Sequence, residues 1–197
     1  MAFQVMGIAV LLIFYGCYFG KMLAQRKKGI RTDQMGRGKT GHEKWIEITL
    51  KLAACLTALA EAVSILLNTS LFPVWVRAAG ALTGSAGVLV FVISVAAMKD
   101  NWRAGVARED DTELVTSGIY RISRNPAFLG FDLVYVGIGL MFFNWALFAV
   151  SVAGAVMFHL QIVYVEEACL SRTFGDEYTD YRKRVCRYLG RKGMGSR

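Results

Sequence analysis

AFLGFDLVYVGIGLMFFNWALFAVSVAGAVMFHLQIVYV, residues 127–165, is the stretch that decides the fold. A helix crosses the roughly 30 Å hydrocarbon core of a bilayer in about 20 residues, so this run is long enough for two crossings. Asn144, flanked by Phe143 and Trp145, sits near its middle and marks a tight helical hairpin. Working outward, three more apolar regions precede it: residues 2–19, 48–67 (interrupted by Lys51 and Glu61) and 76–98. Each is one span, which makes five. Hydrophobic residues make up 55% of the 197, and the mean hydropathy is positive at +0.40. The chain therefore reads as an all-α integral membrane protein of about five transmembrane helices, with a hairpin for the last two and a cytoplasmic helical C-terminal tail.

Charge sets the orientation. Eight Lys or Arg residues lie between Lys21 and Lys44, five between Lys99 and Arg124, and eight from Arg172 onward. The opposite side offers only Arg77, at a span boundary. The positive-inside rule then places the N-terminus outside and the tail in the cytoplasm. That means the inner membrane of a prokaryote or the endoplasmic reticulum of a eukaryote. The net charge of +8 is explained by topology and anionic headgroups, not by nucleic acid. The charges follow the first apolar run and no small-residue cleavage site is evident, so residues 2–19 read as a retained span. The four cysteines form no C-x-x-C pair and read as free thiols.

One membrane domain with two unequal parts is the simplest organisation. Residues 1–98 hold three spans and a basic loop over 26–44 that reads as mobile. Residues 99–197 hold a polar loop, the hairpin and the tail. Gly80, Gly84 and Gly87 form a small-xxx-small face, read either as packing inside the bundle or as a homodimer seam through Gly80 and Gly84. In the tail, Gly175 is expected to stop the helix leaving the last span and Asp176 to cap the next. Tyr178, Tyr181, Val185 and Tyr188 then share one face. Asp180 and Arg184 form an i,i+4 pair, and Arg182, Lys183 and Arg187 are available to phosphates.

The polar blocks bracket the hairpin and meet at one bilayer face. Before it stands Gly118-Ile119-Tyr120-Arg121-Ile122-Ser123-Arg124-Asn125-Pro126; after it come Glu166-Glu167 and Phe174-Gly175-Asp176-Glu177-Tyr178. Two adjacent carboxylates repel, and burying one without a partner costs several kcal/mol. They are either solvated or met by cations, for which Arg121, Arg124 and the Tyr120 hydroxyl are placed. Pro126 biases Asn125 toward extended backbone and also suits the first turn of a helix. Among ionisable residues inside spans, Asp132 lies nearest the suspected site. His159 reads as a bundle hydrogen bond and Glu61 as structural. No cluster has metal-ligand spacing.

The strings Asn101-Trp102-Arg103, residues 114–121, Arg124-Asn125-Pro126-Ala127-Phe128-Leu129-Gly130, Glu166-Glu167 and residues 174–178, with Tyr181 and Arg184-Val185, resemble the isoprenylcysteine carboxyl methyltransferase family and its phospholipid methyltransferase relatives. The resemblance covers about residues 99–189. It implies an integral membrane enzyme that takes a methyl group from S-adenosylmethionine and receives a lipid or lipidated acceptor sideways from the bilayer. Carried over position by position, Tyr120, Asn125, Pro126, Glu166, Glu167, Tyr178 and Tyr181 would hold the cofactor, and Arg121 joins them by its place in the sequence. Arg124, Glu167 and Arg184 would serve catalysis or orient the acceptor, and Asp132 is added as the ionisable group of the spans nearest the site. Two departures stand out: Asn125 where the family usually has histidine, and Phe128 where it has tyrosine. Asparagine hydrogen-bonds but cannot act as a base. An NADPH-dependent membrane reductase related to sterol reductases, or a non-catalytic lipid-binding relative, are the alternatives.

Overall fold

The computed structural model describes residues 1–36, 38–105 and 112–192. Its regular elements are α1 (Ala2–Lys27), α2 (Gly41–Leu67), α3 (Val74–Met98), α4 (Pro126–Met141), α5 (Trp145–Leu160) and α6 (Glu167–Arg184). Among the described residues there is no strand, only isolated bridges pairing Asp33 with Ala104 and Val185 with Arg191. Four helical stretches are long and apolar enough to cross a membrane: Ala2–Lys27, Gly41–Leu67, Val74–Asn101 and Trp145–Arg184. The fifth, α4, has 16 residues and rises about 24 Å. Leu12, Ile13, Leu52, Leu59, Leu82 and Leu89 point outward and stay exposed. An apolar exterior of this extent suits lipid and not water.

The expected hairpin is present, and Asn144 closes it. Its side chain accepts a hydrogen bond from the Leu147 N–H at 2.9 Å, capping α5, and its amide donates to Ser64 Oγ at 2.8 Å. The two helices of the hairpin nevertheless diverge: α4 packs chiefly on α3, and α5 on α2. Glycine is the cause. A Cβ on Gly80 would meet the Gly137 carbonyl at 2.7 Å, and one on Gly87 would meet the Gly130 carbonyl at 2.8 Å. Gly84 and Gly137 come closest of all, backbone against backbone. The small-residue face is therefore consumed within the chain, and a dimer seam through Gly80 and Gly84 is not available while α4 lies on it. Replacing Gly137 by leucine is expected to wedge α3 from α4. We expect it to lower the melting temperature of the purified protein by an amount equivalent to about 1–3 kcal/mol or more.

At the hairpin end of the bundle, Arg77 is fully engaged. Its Nε donates to the Met141 carbonyl at 2.7 Å and its Nη2 to Asn68 Oδ1 at 2.8 Å. The guanidinium also lies over the Phe3 ring, 4.4 Å from its centroid. One cation on this side is thus absorbed as a latch between α1, α3 and the hairpin turn.

The basic loop after α1 is not a loose tether. Thr32 Oγ1 donates to Gln25 Oε1 at 2.7 Å, and Gln25 Nε2 donates to the Trp102 carbonyl at 3.0 Å. The Ala104 N–H donates to the Thr32 carbonyl at 3.0 Å, and the Gln34 N–H to the Ala104 carbonyl at 2.9 Å. Asp33 pairs with Lys51 at 2.6 Å. Composition suggests mobility here, but the polar residues spend their hydrogen bonds on the segment after α3. The loop lies as a strap across that end of the bundle.

From α5 the chain runs through a π-helical segment, Gln161–Glu166, straight into α6. An i→i+5 turn offsets the register by about one residue and often marks a functional stretch. Here it leaves Gln161, Val165 and Glu167 buried together. Gly175, with φ +48 and ψ −117, breaks the helix where the sequence suggests. A side chain bearing a Cβ would be strained in that conformation.

Candidate functional site

The chain beyond α6 folds back onto the segment that leads into α4. The Arg124 N–H donates to the Cys186 carbonyl at 3.1 Å, and the Gly190 N–H to the Ile122 carbonyl at 2.7 Å. Asn125 Nδ2 donates to the Arg187 carbonyl at 3.1 Å. The Tyr181 hydroxyl donates to the Tyr120 carbonyl at 2.7 Å and the Ser123 carbonyl at 3.3 Å. Residues far apart in sequence are thereby held as one unit.

At its centre is Glu167. Arg187 grips the carboxylate with both Nε (2.7 Å) and Nη2 (3.0 Å), and Arg124 Nη1 reaches Oε1 at 2.9 Å. Hydrogen bonding to Glu167 holds the Arg187 guanidinium above its already high range. Arg124 Nη1 also donates to the Tyr178 hydroxyl at 2.8 Å. Its Nε, by contrast, is buried and has no partner among the described residues. A buried donor left unmatched costs free energy unless something binds it, so this nitrogen is available to an acceptor.

Glu166 differs from its neighbour. Among the described residues no cation forms an ion pair with it, and it closes the π-helical turn that Gln161 opens. It lines a cavity of about 740 Å³, together with Tyr120, Arg124, Asn125, Tyr178 and Tyr181. That volume falls within the range of about 300–1,000 Å³ usual for small-molecule sites. Burial, and then the Glu166 charge, pushes the Tyr120 hydroxyl well above the ordinary tyrosine range, so it stays a neutral donor.

From this polar end the cavity continues as an apolar shaft. Tyr15, Tyr18 and Leu11 of α1 form one wall, and Leu50, Ala58 and Ala62 of α2 another. Phe19, Lys51 and Cys55 line the cavity and are also exposed. The shaft therefore opens outward between α1 and α2.

Of the residues singled out in the sequence, Tyr120, Arg124, Asn125, Glu166, Tyr178 and Tyr181 meet at the cavity. Glu167 sits behind them, as the anchor for Arg124 and Arg187. Pro126 is buried at the start of α4 but does not line the cavity. Arg121 and Arg184 are exposed and away from it. Arg184 Nε donates to the Asp180 carbonyl at 3.2 Å, while the Asp180 carboxylate pairs with Lys183 at 2.8 Å, in place of the expected Asp180–Arg184 bridge. Asp132 also stands outside the lining, with Oδ1 buried and unpartnered. His159 Nδ1 hydrogen-bonds the Tyr188 hydroxyl at 2.6 Å, the two rings stacking, so it fastens the tail to α5. Both oxygens of Glu61 are buried, without a partner among the described residues. Arg187 is spent on Glu167 and not left for phosphate.

Sequence reading overlooked one group altogether. Lys39 and Glu47 form an ion pair whose side chains are 1% and 0% exposed. The Gly36 N–H donates to Glu47 Oε2 at 2.6 Å, and Gln161 Nε2 to Oε1 at 3.1 Å. Its only signal was a glutamate in the second turn of α2, which looks like an ordinary solvated helix residue.

The family model for phospholipid methyltransferases matches residues 75–177. Among curated proteins, the chain is 36% identical over 81 residues to protein-S-isoprenylcysteine O-methyltransferase B of Arabidopsis thaliana, covering 41% of each. It is 32% identical over 113 residues to protein-S-isoprenylcysteine O-methyltransferase of Rattus norvegicus, covering 56% of this chain and 40% of that protein. The corresponding protein of Schizosaccharomyces pombe is 36% identical over 78 residues, covering 40% of this chain and 33% of that one. The matched part thus spans about two-fifths or less of these relatives. The family match takes in α3, α4 and α5, and ends just before Tyr178.

Proposed function

Because the chain belongs to the phospholipid methyltransferase family, we propose that it transfers a methyl group from S-adenosylmethionine to a lipophilic acceptor where the membrane meets water. One arrangement carries the reading: a cavity whose polar end holds Glu166 without an ion-pair partner and whose apolar shaft opens between α1 and α2. The polar end suits a ligand bearing both cationic and hydrogen-bonding groups. Glu166 would hold the cofactor's amino or ribose groups, and Arg124 Nε and the Tyr120 hydroxyl would donate to its acceptors. Bound there, the cofactor supplies an electrophilic methyl group that is already activated. The protein's part is then alignment, charge placement and exclusion of water.

The shaft supports an acceptor that enters laterally from the bilayer with its chain among Tyr15, Leu50 and Ala58. Asn125 spends its amide on the Arg187 carbonyl, so it acts as a strut. A nucleophile that is already anionic, such as a carboxylate, needs no base at that position. The relatives named above are O-methyltransferases, which favours the same choice. The distribution of Lys and Arg supports a cytoplasmic position for the basic end of the bundle and its tail.

Titration calorimetry of the detergent-purified protein with S-adenosylhomocysteine tests the reading. Micromolar binding is the expected result. Binding of NADPH instead would replace it with a reductase, and failure to bind either would leave a lipid-binding protein without catalysis.

A further inference from the structure

We infer that Lys39 and Glu47, contributed by the strap and by α2, are positioning residues for Glu166, completing the site from outside the family-matched segment. What Glu166 binds rests on the methyl-transfer reading; the positioning itself does not.

Both side chains of the pair are almost completely buried. Removing two charges from water costs several kcal/mol per ion, and apolar replacements of a buried pair are often neutral or stabilising. Stability alone is thus a poor reason for its presence. Glu47 is held by three donors: the Gly36 N–H, Lys39 Nζ and the Gln161 amide. Gln161 is the shared element, because it opens the π-helical turn that closes at Glu166. The Gln161 oxygen, although buried, has no partner. Turning the amide over would aim that oxygen at the Glu47 carboxylate. An ionised Glu47 therefore fixes the amide of Gln161, and with it the π-helical turn that sets Glu166 at the cavity wall.

The charges facing Glu166 are Lys39 from the strap, Glu47 from α2 and Glu167 next to it on its own helix, with the Tyr120 hydroxyl across the cavity. Glu167 is already matched by Arg124 and Arg187. The balance at Glu166 thus turns on Lys39 against Glu47. Losing Lys39 leaves an uncompensated carboxylate beside Glu166 and favours its protonation. Losing the Glu47 charge leaves Lys39 to Glu166 and favours its ionised form.

The test is a carboxylate infrared titration of the full chain in phosphatidylcholine nanodiscs, with Glu166 isolated as the difference between each protein and its E166Q counterpart. Relative to wild type, the midpoint is expected to rise by about one pH unit in K39M and to fall in E47Q. It should return close to wild type in K39M/E47Q and stay in place in K39R. Should K39M fail to fold, E47Q and the double variant carry the comparison. Binding of S-adenosylhomocysteine is followed alongside, with about tenfold weaker affinity expected in K39M below its new midpoint. Unmoved midpoints, with only melting temperatures changed, would overturn the inference and leave the pair a structural strut. Moved midpoints in a wild-type protein that does not bind S-adenosylhomocysteine would sink the methyl-transfer reading and leave the positioning intact.

Discussion

Replacing Glu167 with glutamine is expected to abolish methyl transfer and to lower the melting temperature in the same protein. The carboxylate is 8% exposed and holds Arg124 and Arg187 at once. A glutamine has one acceptor oxygen for two guanidiniums, and its NH₂ group would face a cation. Breaking a buried pair by removing one partner costs about 3–5 kcal/mol. Arg187 is about one-third exposed (32%) and partly solvated, which puts the expected loss at the lower end, about 3 kcal/mol. The damage would spread. Arg124 would lose the contact that orients it toward the Tyr178 hydroxyl. Arg187 would no longer be anchored where its carbonyl accepts the Asn125 amide. The tail and the segment before α4 would come apart, and the polar end of the cavity with them. Thermal melting and transfer of a labelled methyl group into a lipid extract read the two effects. A variant that melts and turns over like wild type would remove Glu167 from the centre of the site.

How much of this could be read beforehand depends on whether a signal is local. Spans are local. Apolar runs of bilayer length, the capping asparagine at 144 and the glycine at 175 each carry their meaning within a few residues, and the helices follow them. The meeting of Arg124 with Glu167 and Tyr178 was also foreseeable, because a hairpin returns its two ends to one face. The partner of each charge was not. Arg187 looked like one more surface cation, yet the turn at Val185 brings it back to Glu167. Lys39 stood in a Gly-, Lys- and Arg-rich loop that composition marks as mobile. Its burial depends on hydrogen bonds to residues 102–104, far along the chain. The divergence of α4 from α5 has the same origin. Nothing in residues 127–165 announces it until the glycines at 80, 84 and 87 are laid against those at 130 and 137.

The adjacent carboxylate should fail in a different way, and the contrast separates binding from scaffolding. Glu166→Gln is expected to leave the melting temperature nearly unchanged and to remove cofactor binding. Glu166 forms no ion pair among the described residues, so no cation is orphaned when its charge is lost. Glutamine has almost the same shape, so the π-helical turn that carries it is not disturbed. What disappears is the negative charge facing the cavity. A hydrogen bond to a charged group is worth about 1.5–3 kcal/mol, so affinity for S-adenosylhomocysteine should fall about 10- to 150-fold. Glu166→Asp keeps the charge but withdraws it by one methylene and should fall between the two. Unchanged binding in E166Q would mean that Glu166 does not touch the cofactor. The reverse pattern, with E166Q unfolding and E167Q merely silent, would exchange the roles of the two glutamates. Position alone cannot separate them, since they are neighbours on one helix. Only their partners differ: two arginines behind Glu167, and an open cavity before Glu166.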